Sequence, residues 1–433
     1  MFDECRINKI ANETGFKKRT SKISPKKFID ILLYGSNEEN KSLNQCAIET
    51  KNRHKLSISK QGLDQRFNAQ SVLFIKTMFE EQFKHQITSA VSTEVLNKFK
   101  RILIKDSTSF DIAEQHKNMY PGSGGSASKA GMRIQYEFDL KDGTISDLNL
   151  SPSIRQDSTD AIQSQDKINK DDLIIRDLGY FALDVFEHID KKEAFFLSRL
   201  DARILMYENI NETTAQLNYK QLYQQMIESN QTTIELNVVI GRDKKLPVRL
   251  IAHLLPEEVY NERLRKVNKQ NQKKGRKTSD AYKEYARFSF YITNIPFKTV
   301  SSAQLMFLYR LRWQIELVFK VWKSIFKLDK IGKMKLNRFL SLLYAKLLWI
   351  LINWEIIMNL KIIFHNVFGK ILSMNKSFQT IKENFEKFRN ELIKYKVKGY
   401  IIVNWMVERL SERHWLEKRK NRIGYEEILF KYL

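Results

Sequence analysis

Short runs with strand character, each closed by a charged residue or a tight turn, constrain the fold of this 433-residue chain more than any other feature. They are RILIKD (Arg101–Asp106), RIQYEFDL with TISDLNL (Arg133–Leu150), DLIIRD (Asp172–Asp177) and FFLSRL (Phe195–Leu200). Rich in β-branched and aromatic residues and too short for independent helices, they read as strands. Lys141, Asp142 and Gly143 supply the reversal of a hairpin. A helical pattern from Phe181 to Ile189 lies between the last two runs. The resulting order of strand, hairpin, helix, strand, helix, strand predicts an α/β core on one mixed sheet, with Asp106 and Asp177 at strand ends. The stretch Tyr120–Gly131 lacks GxxxxGK[ST] and reads as a mobile surface loop, not a phosphate cradle.

Around this core the period changes. From Ser24 to about Phe99 apolar residues recur at helical spacing, which predicts an all-helical N-terminal domain over 1–99. Within it Asn44–Asn68 reads as helix, short turn, helix, with Ser57 or Ser59 as a cap. A DNA-binding helix-turn-helix would set Lys60, Gln61, Gln65 and Arg66 against a groove, and a plain helical hairpin with a polar outer face is the equal alternative. The core is expected over 100–200 and 289–360, interrupted by a β-rich insertion over 201–288. That insertion holds IELNVVI, the turn GRDK, PVRLIAHLL and then a charged helix. Its basic segment Arg263–Lys277 is either a solvated face or a DNA contact. The strand FYITNIP returns to the core. A helical region over 361–433 follows, basic and aromatic through Trp405 and Trp415.

Charge narrows the partner. Seventy-four Lys+Arg against 50 Asp+Glu leave a formal +24, which calls for a polyanion. The basic residues are spread along the chain and not gathered beside an apolar anchor, which favours nucleic acid over membrane. The apolar stretch Phe339–Leu360 contains Lys346, Asn353 and Glu355, so a buried core helix is expected there. Cys5 and Cys46, with seven histidines lacking ligand spacing, exclude a disulfide framework and a multi-cysteine zinc site. No signal-peptide pattern opens the sequence, so a cytoplasmic protein is expected.

The segment SSAQLMFLYRLRWQIELVFKVWKSIF predicts one helix of more than twenty residues behind a serine cap. At roughly 100° per residue, Tyr309, Arg312, Glu316 and Lys323 fall within about 60° of one face. Leu308, Leu311, Ile315, Val318, Phe319 and Trp322 form another face suited to packing on the sheet, while Leu317 and Val321 fit neither. Taken alone, the polar face reads first as a surface stripe with Arg312 and Glu316 as an ordinary i,i+4 pair.

The spacing Y-(2)-R-(3)-E-(6)-K, carried by Tyr309, Arg312, Glu316 and Lys323, resembles the signature of the DDE transposases of insertion-sequence family four. KDSTSF around Asp106 and RDLGYF around Asp177 are similar to the family's first two acid motifs, and TNIP matches the strand before the signature helix. The resemblance covers about Ile102–Leu328 and implies an RNase H-like fold. It implies that Asp106, Asp177 and Glu316 hold two Mg²⁺ ions, with Mn²⁺ as substitute, the aspartates sharing one. Tyr309, Arg312 and Lys323 would hold phosphates at the element's end. Double-stranded DNA, as terminal repeats and as target, is the implied partner, cut and joined within a homodimer, with no membrane involved. The insertion before Glu316, which stands 139 positions after Asp177, also fits. Hairpin-forming relatives carry a tryptophan just before the strand leading to the signature helix, whereas Ser289, beside Phe288, stands here. A nuclease of the same fold that does not join, or an inactive DNA-binding regulator, are the alternative functions.

Overall fold

The computed structural model describes residues 3–19, 21–37, 41–84, 93–210, 213–242, 246–393, 404, 407–410 and 414–417. Part of the GRDK turn, Trp405 and most of the chain beyond 393 lie outside the described residues. The chain opens with five helices, α1 (Glu4–Glu13), α2 (Pro25–Asn37), α3 (Leu43–His54), α4 (Lys60–Asp64) and α5 (Ala69–Lys84). Local chemistry sets their ends. Ser42 and Gln45 close a capping box on α3, and Ser59 accepts from the Gly62 amide to start α4.

Next come β1 (Ile102–Asp111), β2 (Gly131–Asp139), β3 (Ile145–Pro152), α6 (Asp157–Gln163), β4 (Leu173–Arg176), α7 (Leu183–Lys191) and β5 (Phe195–Arg199). The interval after β5 holds β6 (Met206–Ile210), β7 (Thr213–Gln216), α8 (Tyr219–Glu228), β8 (Thr233–Ile240), β9 (Leu246–Leu254), α9 (Glu257–Lys273) and α10 (Asp280–Tyr285). β10 (Phe288–Thr293) precedes α11 (Ser302–Leu311), α12 (Gln314–Ser324), α13 (Leu336–Phe368), α14 (Met374–Glu383) and α15 (Phe385–Ile393). The result is a mixed α/β protein.

Two compact units divide these elements. The first comprises residues 1–91, 107–155 and 314–422, and the second 92–106, 156–313 and 423–433. β1 runs from one into the other.

In the first unit β2 and β3 form the expected antiparallel hairpin. Gly143 turns it at φ +77°, where a Cβ would also stand 2.5 Å from Met358 Cε. Tyr136 of β2 is fully buried, with the Trp322 ring edge-on at 4.9 Å and Phe319 at 6.1 Å. The apolar face of α12 thus packs on this hairpin, and Val321, which fitted neither face in sequence, is buried too. The Trp354 indole of α13 donates to the Gly143 carbonyl at 2.8 Å. α13 is long and apolar enough to cross a membrane, but 72% of its most apolar window is buried, against α2, α5 and α14. The glycine-serine loop is tied at its base: Pro121 bridges Ala130, and the Ser128 hydroxyl donates to the Ile112 carbonyl.

In the second unit the strands run β1-β4-β5-β10-β9-β8-β6-β7. β1, β4 and β5 are parallel; β10, β9, β8, β6 and β7 follow antiparallel. Leu103, Ile174, Phe186, Phe196, Leu250 and Phe290 belong to one core. The interval 201–288 therefore carries helices as well as strands and extends the same sheet through the β9–β10 pair.

Removing the Trp322 ring leaves a cavity against Tyr136 that neighbours only partly fill. Trp322→Ala is expected to lower stability by about 3–5 kcal/mol, read from the midpoint of a urea unfolding curve.

Candidate active site

Parallel pairing sets the two aspartates side by side. Ile102 to Lys105 of β1 pair with Leu173 to Arg176 of β4, so the next residue in each chain is an acid, Asp106 or Asp177. Neighbouring strands stand about 4.8 Å apart, and in-register residues share a face. Asp106 is not at the end of β1, as its sequence suggested, but midway along it. It stands where β4 stops pairing, because β4 is only four residues long. Asp177 follows β4 in extended backbone, φ −78° and ψ 166°.

The same row continues. Ile175 pairs with Leu197, which aligns Asp177 with Arg199 at the end of β5, and Arg199 in turn pairs with Tyr291 of β10. The exposed Arg199 guanidinium lies over two rings, Tyr291 at 5.9 Å and Tyr309 of α11 at 5.6 Å. Tyr309 is 5% exposed, edge-on to Tyr291, and its hydroxyl meets no hydrogen-bond partner among the described residues. Burial pushes its phenol up to about 12; the charges of Arg312 and Arg199 oppose the shift and that of Asp177 reinforces it. Arg312 Nη1 donates to Asp106 Oδ2 at 2.9 Å.

On the opposite face of β1, Lys105 is fully buried, with Nζ 2.6 Å from Asp160 Oδ2 and 3.1 Å from Ser164 Oγ. α6, which carries Asp160, also packs on the turn Leu178–Tyr180 that follows Asp177. One buried ion pair therefore steadies both acid-bearing segments. Asp172 is buried, and both its oxygens take Arg101, at 2.9 and 2.5 Å. Asp171 is exposed, and Asp184 lies in the first turn of α7 as a helix-end acid.

The signature segment is not one helix. The Arg312 and Trp313 amides bond to the Tyr309 and Arg310 carbonyls, three residues back, which ends α11 before α12 begins. Such steps turn about 120° per residue, so the even helical rotation assumed from sequence does not run through them. Tyr309 and Arg312 lie in the second unit with both aspartates; Glu316 and Lys323 lie in the first. Glu316 is exposed in the first turn of α12, and Lys323 Nζ donates to the Ser109 carbonyl at 2.9 Å. On α4, Lys60 and Gln61 are exposed, with Gln65 exposed and Arg66 half-buried just after it, and the helix itself is only five residues long. Ser289 is buried within β10, 3.4 Å from Arg263 Nη2.

Among the described residues no three His, Cys, Asp or Glu side chains are gathered closely enough to hold a metal. What the second unit does offer is two neighbouring carboxylates on one sheet face, a hard oxygen donor set that suits a divalent ion of magnesium type.

Residues 97–352 match the family described as Transposase DDE domain. The chain belongs to the DDE transposases of insertion sequences. Among its relatives, the transposase of element IS1151 from Clostridium perfringens is 32% identical over 91% of this chain and 86% of its own length. The transposase of IS231C from Bacillus thuringiensis subsp. berliner is 32% identical over 80% and 76%. The piggyBac transposase synaptic complex with hairpin DNA aligns over 97% of this chain and 84% of its own at 12% identity, with a TM-score of 0.39. This protein is thus a DNA transposase, an enzyme of a family that depends on divalent metal.

Two residues of the transposase escaped the sequence reading. Arg199 ends an apolar run just as Asp177 does, a parallel that gains meaning only once strand register is known. Lys105 reads as an ordinary charge before an acid, and its partner Asp160 lies 55 positions away.

Asp160→Asn strands the Lys105 ammonium in the core, and a loss of about 3–5 kcal/mol is expected in denaturant unfolding. The raised Tyr309 pKa makes a second outcome checkable. The folded chain keeps this proton above the unfolded value near 10, so the associated stability is complete below that pH and is lost as pH approaches about 12. Phenolate absorbance of wild type minus Tyr309→Phe should rise near pH 12 and be flat at 10.

Proposed function

We propose that this transposase cuts and rejoins insertion-sequence ends at a site made by Asp106, Asp177 and Glu316 on an RNase H-like core. The observation that carries the reading is the β1–β4 register aligning Asp106 with Asp177, with Arg312, four positions before Glu316, bonded to Asp106. The three carboxylates would hold two Mg²⁺ ions, with Mn²⁺ as substitute, the aspartates sharing one. When bound, such ions lower the pKa of an attacking water or hydroxyl and neutralise charge that builds on the phosphate and leaving oxygen.

The chain's own groups do the rest. Arg312, whose planar guanidinium donates to Asp106, also matches the geometry of a phosphate and would hold the strand in line. Arg199 and Lys323 add positive charge along that strand, and the buried Tyr309 hydroxyl can donate to a phosphate oxygen. These contacts position DNA and do not read its sequence. In cleavage, water attacks phosphorus and the P–O3′ bond breaks, leaving a 3′-hydroxyl and a 5′-phosphate. In strand transfer that 3′-hydroxyl attacks a target phosphodiester and displaces its 3′-oxygen, so bonds balance without a covalent protein intermediate. Lys60, Gln61, Gln65 and Arg66 are proposed to contact the terminal repeats, two transposase copies to pair the two ends, and the cytoplasm to be the site of action.

The test is incubation of the full chain with its element's end DNA in Mg²⁺ or EDTA. Joined products are expected in Mg²⁺ alone. Asp106→Ala, Asp177→Ala and Glu316→Ala should each reduce them by roughly 10³-fold or more, with DNA binding retained. Cleavage without joining would replace this reading by a nuclease. Activity surviving Glu316→Ala would remove that residue from the site.

A further inference from the structure

The basic segment Arg263–Lys277 takes no part in the site described above. Most of it forms the second half of α9, and its residues sort by face. Tyr260, Arg263, Leu264, Val267 and Asn271 are buried or half-buried, whereas Arg265, Lys266, Lys269 and Lys273 are all exposed. At roughly 100° per residue these four cations occupy a sector of about 100°. From Arg265 to Lys273 the stripe is about 12 Å long.

Three observations separate it from an ordinary solvated face. First, no acid occurs between Arg263 and Ser279. Of the stripe and tip cations only Lys266 has an acidic partner among the described residues, Glu262 at 2.6 Å. A surface that needed only solubility would mix signs. Second, helix-dipole complementation accounts for Lys273 in the last turn but not for Arg265 or Lys269 further back.

Third, the segment is built and anchored. Arg263 donates to the Ala286 and Phe288 carbonyls at 3.1 and 2.6 Å, fixing α9 to the start of β10. Beyond the helix, Gly275 reverses the chain at φ +63°, and Thr278 links Asn271 and Asn268 at 2.9 and 2.6 Å. That turn holds Lys274, Arg276 and Lys277 exposed at the tip.

We propose that this stripe and tip form a second DNA-binding surface, one that grips the duplex backbone without reading sequence. Duplex DNA presents one phosphate per about 3.4 Å of helix axis on each strand, so a stripe of about 12 Å laid along the axis faces a length of duplex that carries about three on each strand. Exposed cations on an anchored helix, in a run that holds no acid, displace condensed counterions, which gives salt-dependent, sequence-independent affinity. The proposal rests on DNA being the substrate and not on the assignment of the three acids.

The test measures binding of the full chain to a 30-base-pair duplex of arbitrary sequence across a salt series. Each phosphate contact contributes about 0.9 to the slope of log Kobs against log salt. Arg265→Gln/Lys269→Gln/Lys273→Gln and Lys274→Gln/Arg276→Gln/Lys277→Gln should each make that slope shallower by about 2–3. A control that removes equal charge elsewhere, Lys9→Gln/Lys192→Gln/Lys220→Gln, should leave it unchanged. All six substituted side chains are exposed, and unaltered thermal midpoints would confirm intact folding. Slopes equal to wild type, or an equal change in the control, would overturn the proposal.

Discussion

Short parallel pairing between β1 and β4 is the constraint on which the candidate site rests. β4 has only four residues, so pairing ends at Lys105 and Arg176 and the next residue on each strand is an acid. Two carboxylates held about one strand spacing apart repel each other, and the structure supplies the compensation. Arg312 bonds Asp106 on one face of β1, and on the other Lys105 reaches Asp160 inside the core. Helix α6 carries Asp160 of that buried pair and also touches the turn after Asp177, so a contact on the far face of the sheet steadies the segments that bear the acids.

Charge is layered in the second unit. Acids sit on the sheet, Arg312 bonds one of them, Arg199 lies over Tyr309, and that ring supplies an apolar wall with one buried hydroxyl. A low-dielectric wall beside fixed charges strengthens each interaction with an incoming phosphate. The wider surplus of positive charge acts differently, through long-range attraction and counterion release, and is sensitive to salt. The α9 stripe belongs to this second kind: its cations are exposed and far from any strand-end acid in sequence.

Much of the core was legible from residue order. The hairpin at Lys141–Gly143, the short runs around Asp106 and Asp177, the return strand at Phe290 and the core character of α13 follow from period and turn chemistry. The two-residue break after Leu311 was not legible, because Arg312 and Trp313 are ordinary helix formers and nothing local marks the step. Nor was the extent of β1, since SerThrSer reads as loop in isolation and becomes strand only when other strands pair with it. The burial of Asp172 was hidden for a related reason: an acid beside another acid resembles surface until Arg101, 71 positions away, is folded against it.

What the sequence determined by itself is whatever depends on neighbours within a turn or two: strand and helix period, capping serines, the hairpin glycine, the spaced tyrosine, arginine, glutamate and lysine, and the excess of positive charge. What only the tertiary structure decided is the alignment of Asp106, Asp177, Arg199 and Tyr291 across four strands, the burial of Lys105 on Asp160, and the anchoring of the basic helix by Arg263. Strand register and ion-pair burial are properties of pairs far apart in the chain, and their energies arise only when water has been removed from between them.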